Sequence, residues 1–369
     1  MTVRGWCPGA LRPMMSGDGL VLRIRPHAGR LTAQQARALA DLSRAHGNGL
    51  IDLGTRAHLQ LRGVREGALP ALHAALADLG LLDKDAGAEA RRNILTTPIH
   101  AADETLALVA ALEEALADAP ALPPKFGFAV DSGARAVLGA ASADIRIERA
   151  ERGLILRADG MALGVPVTVA EAPARAVALA QWFAAHRGAE TRMARLIASG
   201  TVPLDGTTPP LPGAPIGPGP CAFGLCLALP FGQIAAADLH RIAVAPLRLT
   251  PWRSVIVEGT PEVPDTLIAR DDPLLRIHAC TGAPGCASAS VETRALARRL
   301  APLLPEGAEL HISGCAKGCA HPGPALTLTG HQGRFGLIPF GPAGAQPVRT
   351  GLTPDDIPDL IRGHFAPPL

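Results

Sequence analysis

Lysine is nearly absent from this chain: Lys84, Lys125 and Lys317 stand beside 32 arginines. A composition that uses arginine wherever a generic cation will serve makes each lysine informative, and Lys125 and Lys317 both fall in motif-like stretches. An excess of either charge is missing too. The 35 basic and 33 acidic residues leave a net +2, which gives no global signal for nucleic acid or for a membrane surface. Long hydrophobic runs are also lacking, since the longest, residues 221–231, is too short to span a bilayer. Arg4, Trp6 and two prolines stand where a secretory signal would place its apolar core, so a cytoplasmic location is expected. There is no glycine-rich nucleotide fingerprint, which points to electrons arriving from a separate protein.

What is present is enough apolar material for a large core: 48% of 369 residues are hydrophobic, so two or more domains are expected. Residues 20–25 alternate as a strand. Thr32 caps a helix running to His46, two strands follow at residues 50–53 and 58–62, and a helix covers residues 70–80. That order suits a ferredoxin-like half-domain. The stretch from 201 to 220 is dominated by proline and glycine and reads as a linker. Beyond it the first pattern returns at residues 223–257, with Thr250-Pro-Trp-Arg253 in the place of Thr55-Arg56. An α+β chain with a duplicated body is expected. Its divisions are 1–85 (tail and first half-domain), 86–200 (first α/β domain), 201–222 (linker), 223–262 (second half-domain) and 263–369.

The last segment gathers four of the seven cysteines. Cys280 and Cys286 form one pair and Cys315 and Cys319 the other, with a helix expected over residues 291–304 and a strand over 309–313 between them. An odd cysteine count in a reducing compartment favours metal ligation over disulfides. Thiolates suit zinc or an iron–sulfur cluster. Zinc pairs are usually two to four residues apart, whereas the wider loops here, filled with glycine and alanine, favour a [4Fe–4S] cluster over zinc or inert buried thiols. Cys7, Cys221 and Cys226 read as structural thiols.

The cysteine order, with the second pair inside Ser313-Gly-Cys-Ala-Lys-Gly-Cys319, resembles the sirohaem-dependent sulfite and nitrite reductases. Within that superfamily the stretches Thr281-Gly-Ala-Pro-Gly-Cys-Ala-Ser288 and Ser313-Gly-Cys-Ala-Lys-Gly-Cys-Ala-His-Pro322 most resemble the precorrin-3B synthases of aerobic cobalamin biosynthesis. The resemblance covers nearly the whole chain. It implies a pseudo-twofold architecture, with two ferredoxin-like half-domains and two α/β domains of which only the second carries the cluster.

The resemblance also implies a site. Sirohaem and precorrins are flat macrocycles ringed by carboxylates, so their pocket needs convergent cations. Arg56 with Gln60, Arg92 with Asn93, and Lys125 in Pro124-Lys-Phe126 resemble the segments by which the reductases hold macrocycle and anion. One departure matters: the reductases carry a second lysine where this chain has Gly127. Lys317, in the second cysteine loop, is the candidate to restore that charge, and Lys125 and Lys317 are the expected catalytic ammonium groups. His321 lies within reach of a metal near the cluster, though no two-histidine, one-carboxylate pattern is evident for the mononuclear iron that the family implies. The implied activity is hydroxylation of precorrin-3A by O2, with electrons from NADH through a separate reductase or a ferredoxin. The rival is a sirohaem-dependent assimilatory sulfite or nitrite reductase.

Overall fold

The computed structural model describes residues 8–100, 102–321 and 323–365, so Cys7 lies outside the described residues. The chain forms four five-stranded sheets. In the first, the order is Met14–Ser16, Gly19–Ile24, Leu59–Val64, Leu50–Leu53 and Gln233–Ala235, all antiparallel. Alternation decides its faces: Leu22, Ile24, Ile51, Leu59 and Leu61 enter the core, while Arg23, Asp52 and Gln60 point the other way. The third sheet repeats this plan in the order Gly219–Cys221, Gly224–Ala228, Ser254–Val257, Leu247–Leu249 and Arg30–Leu31.

The fifth strand of each of these sheets comes from the other half of the chain. Gln233–Ala235 pairs with Leu50–Leu53, and Arg30–Leu31 pairs with Leu247–Leu249. A short 3-10 turn precedes each exchanged strand and carries one non-glycine residue in the left-handed region, Ala28 at φ 50° and Phe231 at φ 59°. Each turn sends the chain across to the opposite sheet. The helices that follow, Ala33–His46 and Ala236–Ile242, pack together, and Leu39, Ala40, Leu239 and Ile242 share one core. Thr32 closes the first helix with a capping box, its hydroxyl accepting from the Gln35 N–H while its own N–H donates to Gln35 Oε1.

Charge reinforces the exchange. Glu258, just past the third sheet, takes a forked pair from Arg30 at 2.8 and 2.7 Å and a third bond from Arg248 Nε at 2.7 Å. Arg30 belongs to the exchanged strand, so this cluster joins the two halves directly.

The second and fourth sheets duplicate each other in a different way. Three parallel strands, Ile94–Thr96, Phe128–Asp131 and Ile145–Arg149, are extended by antiparallel Leu154–Ala158 and Val165–Val167. Ile277–Ala279, Leu310–Ser313 and Ala325–His331, followed by Arg334–Gly341 and Arg349–Leu352, reproduce the arrangement. Both cysteine loops leave the carboxyl ends of adjacent parallel strands, Ile277–Ala279 and Leu310–Ser313, which brings together thiols far apart in sequence. The equivalent loop of the second sheet holds no cysteine and is closed by Asp131, whose Oδ2 accepts from Val137 and Leu138 at 2.8 Å.

Three local expectations are corrected. Met14–Ser16 is a strand in a hairpin rather than part of a tail, and the irregular stretch gives way to the edge strand Gly219–Cys221. The helix expected over residues 291–304 is shorter, Arg294–Leu300 with a 3-10 turn at Ala301–Leu303, because Val291 and Thr293 serve the cysteine loop. The second parallel strand begins at Phe128, since Asn93 takes the Phe126 carbonyl and Asp144 takes the Gly127 amide. Of the described residues, no helix is long and apolar enough to cross a membrane.

Hydrogen bonds from Arg30 lower the Glu258 pKa from the usual 4.5 to about 2, with Arg248 adding to the effect against partial desolvation. A carboxylate whose folded pKa is depressed contributes stability above its unfolded pKa, and that contribution is lost as pH falls from about 4.5 to about 2. Glu258→Gln should therefore destabilise the protein at neutral pH and flatten its loss of stability across that window, as read by urea denaturation at a series of pH values.

Candidate functional site

The thiol cradle is built mostly by backbone. Gly314 N–H donates to Cys280 Sγ at 3.2 Å, Cys286 N–H to the Gly282 carbonyl at 2.8 Å, and Ser290 N–H to the Gly314 carbonyl at 3.0 Å, which ties the first loop to the second. Gly282 has φ 68°, and a Cβ there would stand 2.7 Å from Thr293 Oγ1 and 2.9 Å from its nitrogen, so only glycine lets the loop fold this tightly. Lys317 Nζ reaches Ser288 Oγ at 2.9 Å and ties the two loops a second time.

All six described cysteines are free. Burial raises the Cys319 pKa, and Cys315, Cys280 and Cys286 raise it further against an opposing push from Lys317, so the four thiols feel one another. Among the described residues, however, no group of three or more His, Cys, Asp or Glu is arranged to hold a single metal ion. The two observations are compatible. Zinc–sulfur bonds of about 2.3 Å place tetrahedral sulfurs roughly 3.8 Å apart, whereas the irons of a cluster stand between its thiolates and hold them farther from each other. Four free thiols on two loops tied to each other, with a backbone N–H aimed at the sulfur of one, are the residues a cluster would take.

Facing this cradle is the polar side of the first sheet. Arg23, Gln60, Asp52 and Gln233 stand in register across four strands. Arg62, buried, donates to Asp18 at 2.7 Å and to the Gly285 carbonyl at 3.0 Å, so the sheet touches the first cysteine loop. At the other end His58 is buried, and desolvation followed by Arg25, Arg23, Arg56 and Arg92 holds its pKa well below the usual value and the ring neutral. Four guanidinium groups therefore gather round one imidazole. A cavity of about 300 Å³ lined by Asp18, Arg62, Gln233, Gly285 and Arg294 lies between the sheet and the first cysteine loop. A second of about 360 Å³ is lined by Arg12, Arg25, Arg91, Pro124 and Phe126. A third, about 420 Å³, is bordered by Thr55, Trp252, Arg253, His278 and His321.

The residues picked out from sequence fall into distinct places. Arg56 Nη2 donates to the Lys125 carbonyl at 3.0 Å, so these two segments meet, and Gln60 lies half-buried in mid-sheet. Asn93 Nδ2 donates to the Phe126 carbonyl at 2.6 Å and stands where a Cβ on Gly127 would be, 2.7 Å away. Arg92 is not an open cation, because its buried guanidinium forks onto Asp83 at 2.9 and 2.8 Å with Glu113 at 3.5 Å. Lys317 serves the cysteine loops through Ser288. His321 stacks on His278 at 4.6 Å and lies 5.7 Å from His311. Burial, His321 and Arg253 lower the pKa of both His278 and His311 to about 4.

Arg23, Arg25, Arg62 and Arg294 were not singled out from sequence. A signal existed for the first three: they alternate with core residues in Val21-Leu-Arg-Ile-Arg25 and Leu59-Gln-Leu-Arg62, which sets them on the face away from the core.

Comparison with known proteins places this geometry. Residues 12–79 match the nitrite/sulfite reductase ferredoxin-like half domain. A precorrin-3B synthase from a Sinorhizobium species is 33% identical, over 93% of this chain and 84% of its own length. A ferredoxin–nitrite reductase from Synechococcus elongatus is 25% identical, over 95% of this chain and 86% of its own length. The solved structure of the Mycobacterium tuberculosis NirA protein superposes with a TM-score of 0.62 at 19% identity, covering 93% of this chain and 79% of that one, which shows a common fold.

The contact between Asn93 and Gly127 yields an expected outcome. Gly127→Lys should cost about 1–3 kcal/mol through overpacking, and Asn93→Gly in the same chain should recover part of that loss. Chemical denaturation of both variants measures it, and equal stability of the two would show that the volume over Gly127 is open.

Proposed function

The chain belongs to the precorrin-3B synthase family, and we propose that it hydroxylates precorrin-3A with O2 at the meso carbon between rings A and D, while an acetate on ring A closes to a γ-lactone. The observation that carries this reading is that an arginine-rich sheet face runs directly onto the first of the two cysteine loops, through the Arg62 bond to the Gly285 carbonyl at 3.0 Å. A polycarboxylate macrocycle lying on that face meets its charge partners at one edge and the thiols at another.

Cys280, Cys286, Cys315 and Cys319 are the residues that would hold a [4Fe–4S] cluster, which when bound supplies single electrons. Arg56, Gln60 and Lys125 take substrate side chains at this face, together with Arg23. Arg92 and Asn93 support the wall behind them, Arg92 through Asp83 and Asn93 through the Phe126 carbonyl. Every buried carboxylate of the ligand needs such a partner, because an unpaired one is strongly disfavoured away from water. Lys125 is a compact ammonium able to hand a proton to the reacting edge, and Lys317 offsets negative charge at the thiols. The electrons come from a separate NADH-linked reductase or a ferredoxin. No described residue is assigned to a mononuclear iron in this reading.

A second reading, sulfite or nitrite reduction on bound sirohaem, is favoured by the 25% identity to a ferredoxin–nitrite reductase. Against it, the place of the second lysine of the reductases is Gly127, hemmed in by Asn93. The absorption spectrum of anaerobically purified protein separates the two, since a sirohaem Soret band would favour the rival.

Three outcomes test the first reading. With isotope-labelled O2 the product hydroxyl should carry the label, and unlabelled product would refute oxygenation. Arg56→Ala and Lys125→Ala should each weaken precorrin-3A binding roughly ten- to a hundredfold, the loss of one charge-assisted contact of about 1.5–3 kcal/mol, and leave iron content unchanged. Each single Cys→Ser change at positions 280, 286, 315 and 319 should instead lower iron and labile sulfide. Full retention of both in all four variants would sink the cluster assignment.

A further inference from the structure

Asp52 joins the arginine-lined face to the first cysteine loop. It sits in register with Gln60 and Gln233, accepts from Gln233 Nε2 at 2.8 Å, and stands 3.7 Å from Arg62 Nε and 3.8 Å from Arg294 Nη1. Arg294 opens its helix directly after Thr293, whose hydroxyl donates to the Cys280 carbonyl at 2.6 Å, so the start of this helix is tied to the backbone of the first cysteine. With Thr281, Pro284 and Gly285 it lines the cavity of about 300 Å³ under the loop. Its Nε is buried without a hydrogen-bond partner. Burial lowers the Arg294 pKa, Asp52 and Cys280 raise it, and Arg62 and Arg298 lower it, with Arg253 also within electrostatic reach. The guanidinium thus stands 3.8 Å from one carboxylate and within electrostatic reach of the Cys280 thiol.

We propose that Arg294 and Asp52 form an opposed charge pair that sets the reduction potential of the iron–sulfur group held by Cys280. Arg294 raises the potential and Asp52 lowers it. The inference rests on the cluster reading above. In the step concerned the group accepts one electron from an external one-electron donor. No bond forms or breaks, and the net charge at the thiols becomes more negative by one unit. A fixed cation in a poorly solvated site stabilises that added charge, whereas a carboxylate behind the cation opposes it and draws the guanidinium toward itself. The opposite effects of the two residues follow from their charges alone, and neither residue needs to touch the thiols.

The test is a redox titration of the full-length, cluster-loaded protein, followed by its visible absorption and by EPR of the reduced state. Arg294→Gln should shift the reduction equilibrium about tenfold toward the oxidised form, about 59 mV for one electron, and Arg294→Lys should retain most of the wild-type potential. Asp52→Asn should shift it the other way by a smaller factor. A merely structural role would move both variants in the same direction or not at all, and either result would overturn the proposal. Should Arg294→Gln fail to hold iron, Asp52→Asn, which leaves the helix sequence intact, decides alone: an unchanged or lowered potential overturns the inference. Iron and sulfide counts on the wild type come first, because their absence would defeat the cluster reading rather than this one.

Discussion

Two edge strands crossing between halves are the constraint on which the rest of this molecule depends. Gln233–Ala235 completes the first sheet and Arg30–Leu31 completes the third, so neither half has its full hydrogen-bonded ladder without the other. Leu31 and Ile234, on the two exchanged strands, are buried in a single core with Leu39 and Leu239 of the packed helices. Unpaired sheet edges are a liability that proteins manage by covering them, and here each half covers the other. The exchange also fixes the relation of the first sheet to the later segments, because the strand that completes it is followed in the chain by two strands of the third sheet, Leu247–Leu249 and Ser254–Val257, and by the whole fourth sheet.

That relation is what sets arginines against thiols. The first sheet has its apolar side on the shared core, which leaves the opposite side free to carry Arg23, Arg25, His58, Gln60 and Arg62. So many cations on one face repel one another, and the protein answers in two ways. It supplies carboxylates where no ligand is needed, as at Arg92 with Asp83 and Arg62 with Asp18. It also keeps His58 neutral among its arginine neighbours. Like charges gathered on one surface are costly unless something negative completes them, and a polycarboxylate macrocycle would do so.

The cysteine loops depend on glycine in the same sense that the sheet face depends on arginine. Gly282 and Gly314 bring backbone to within contact of Thr293, Ala289 and Cys280, leaving no room for a side chain between loop and sulfur. The duplicated second sheet shows the alternative outcome. With the same strand order but no cysteine, its loop closes on Asp131.

Much of this was legible in the chain itself. The cap at Thr32, the alternating strands from Gly19 and Leu59, the repeat of that pattern after residue 222, and the two cysteine pairs all rest on local rules of periodicity, capping and ligand chemistry. Such rules act over a few residues and leave their mark in the order of residue types. The sequence by itself thus determined the half-domain pattern, its duplication, and which side chains are available to bind iron and carboxylates. The tertiary structure alone decided which strands cross between halves, because strands of two or three residues are too short to carry a period. It alone decided that Arg92 is paired with Asp83, that Asn93 fills the space over Gly127, and that Arg294 lies beside Asp52 under the first cysteine loop. The physical reason is that an arginine has the same composition whether it meets a ligand, a carboxylate or a thiol. Its role is set by what long-range packing places within a few ångströms of it.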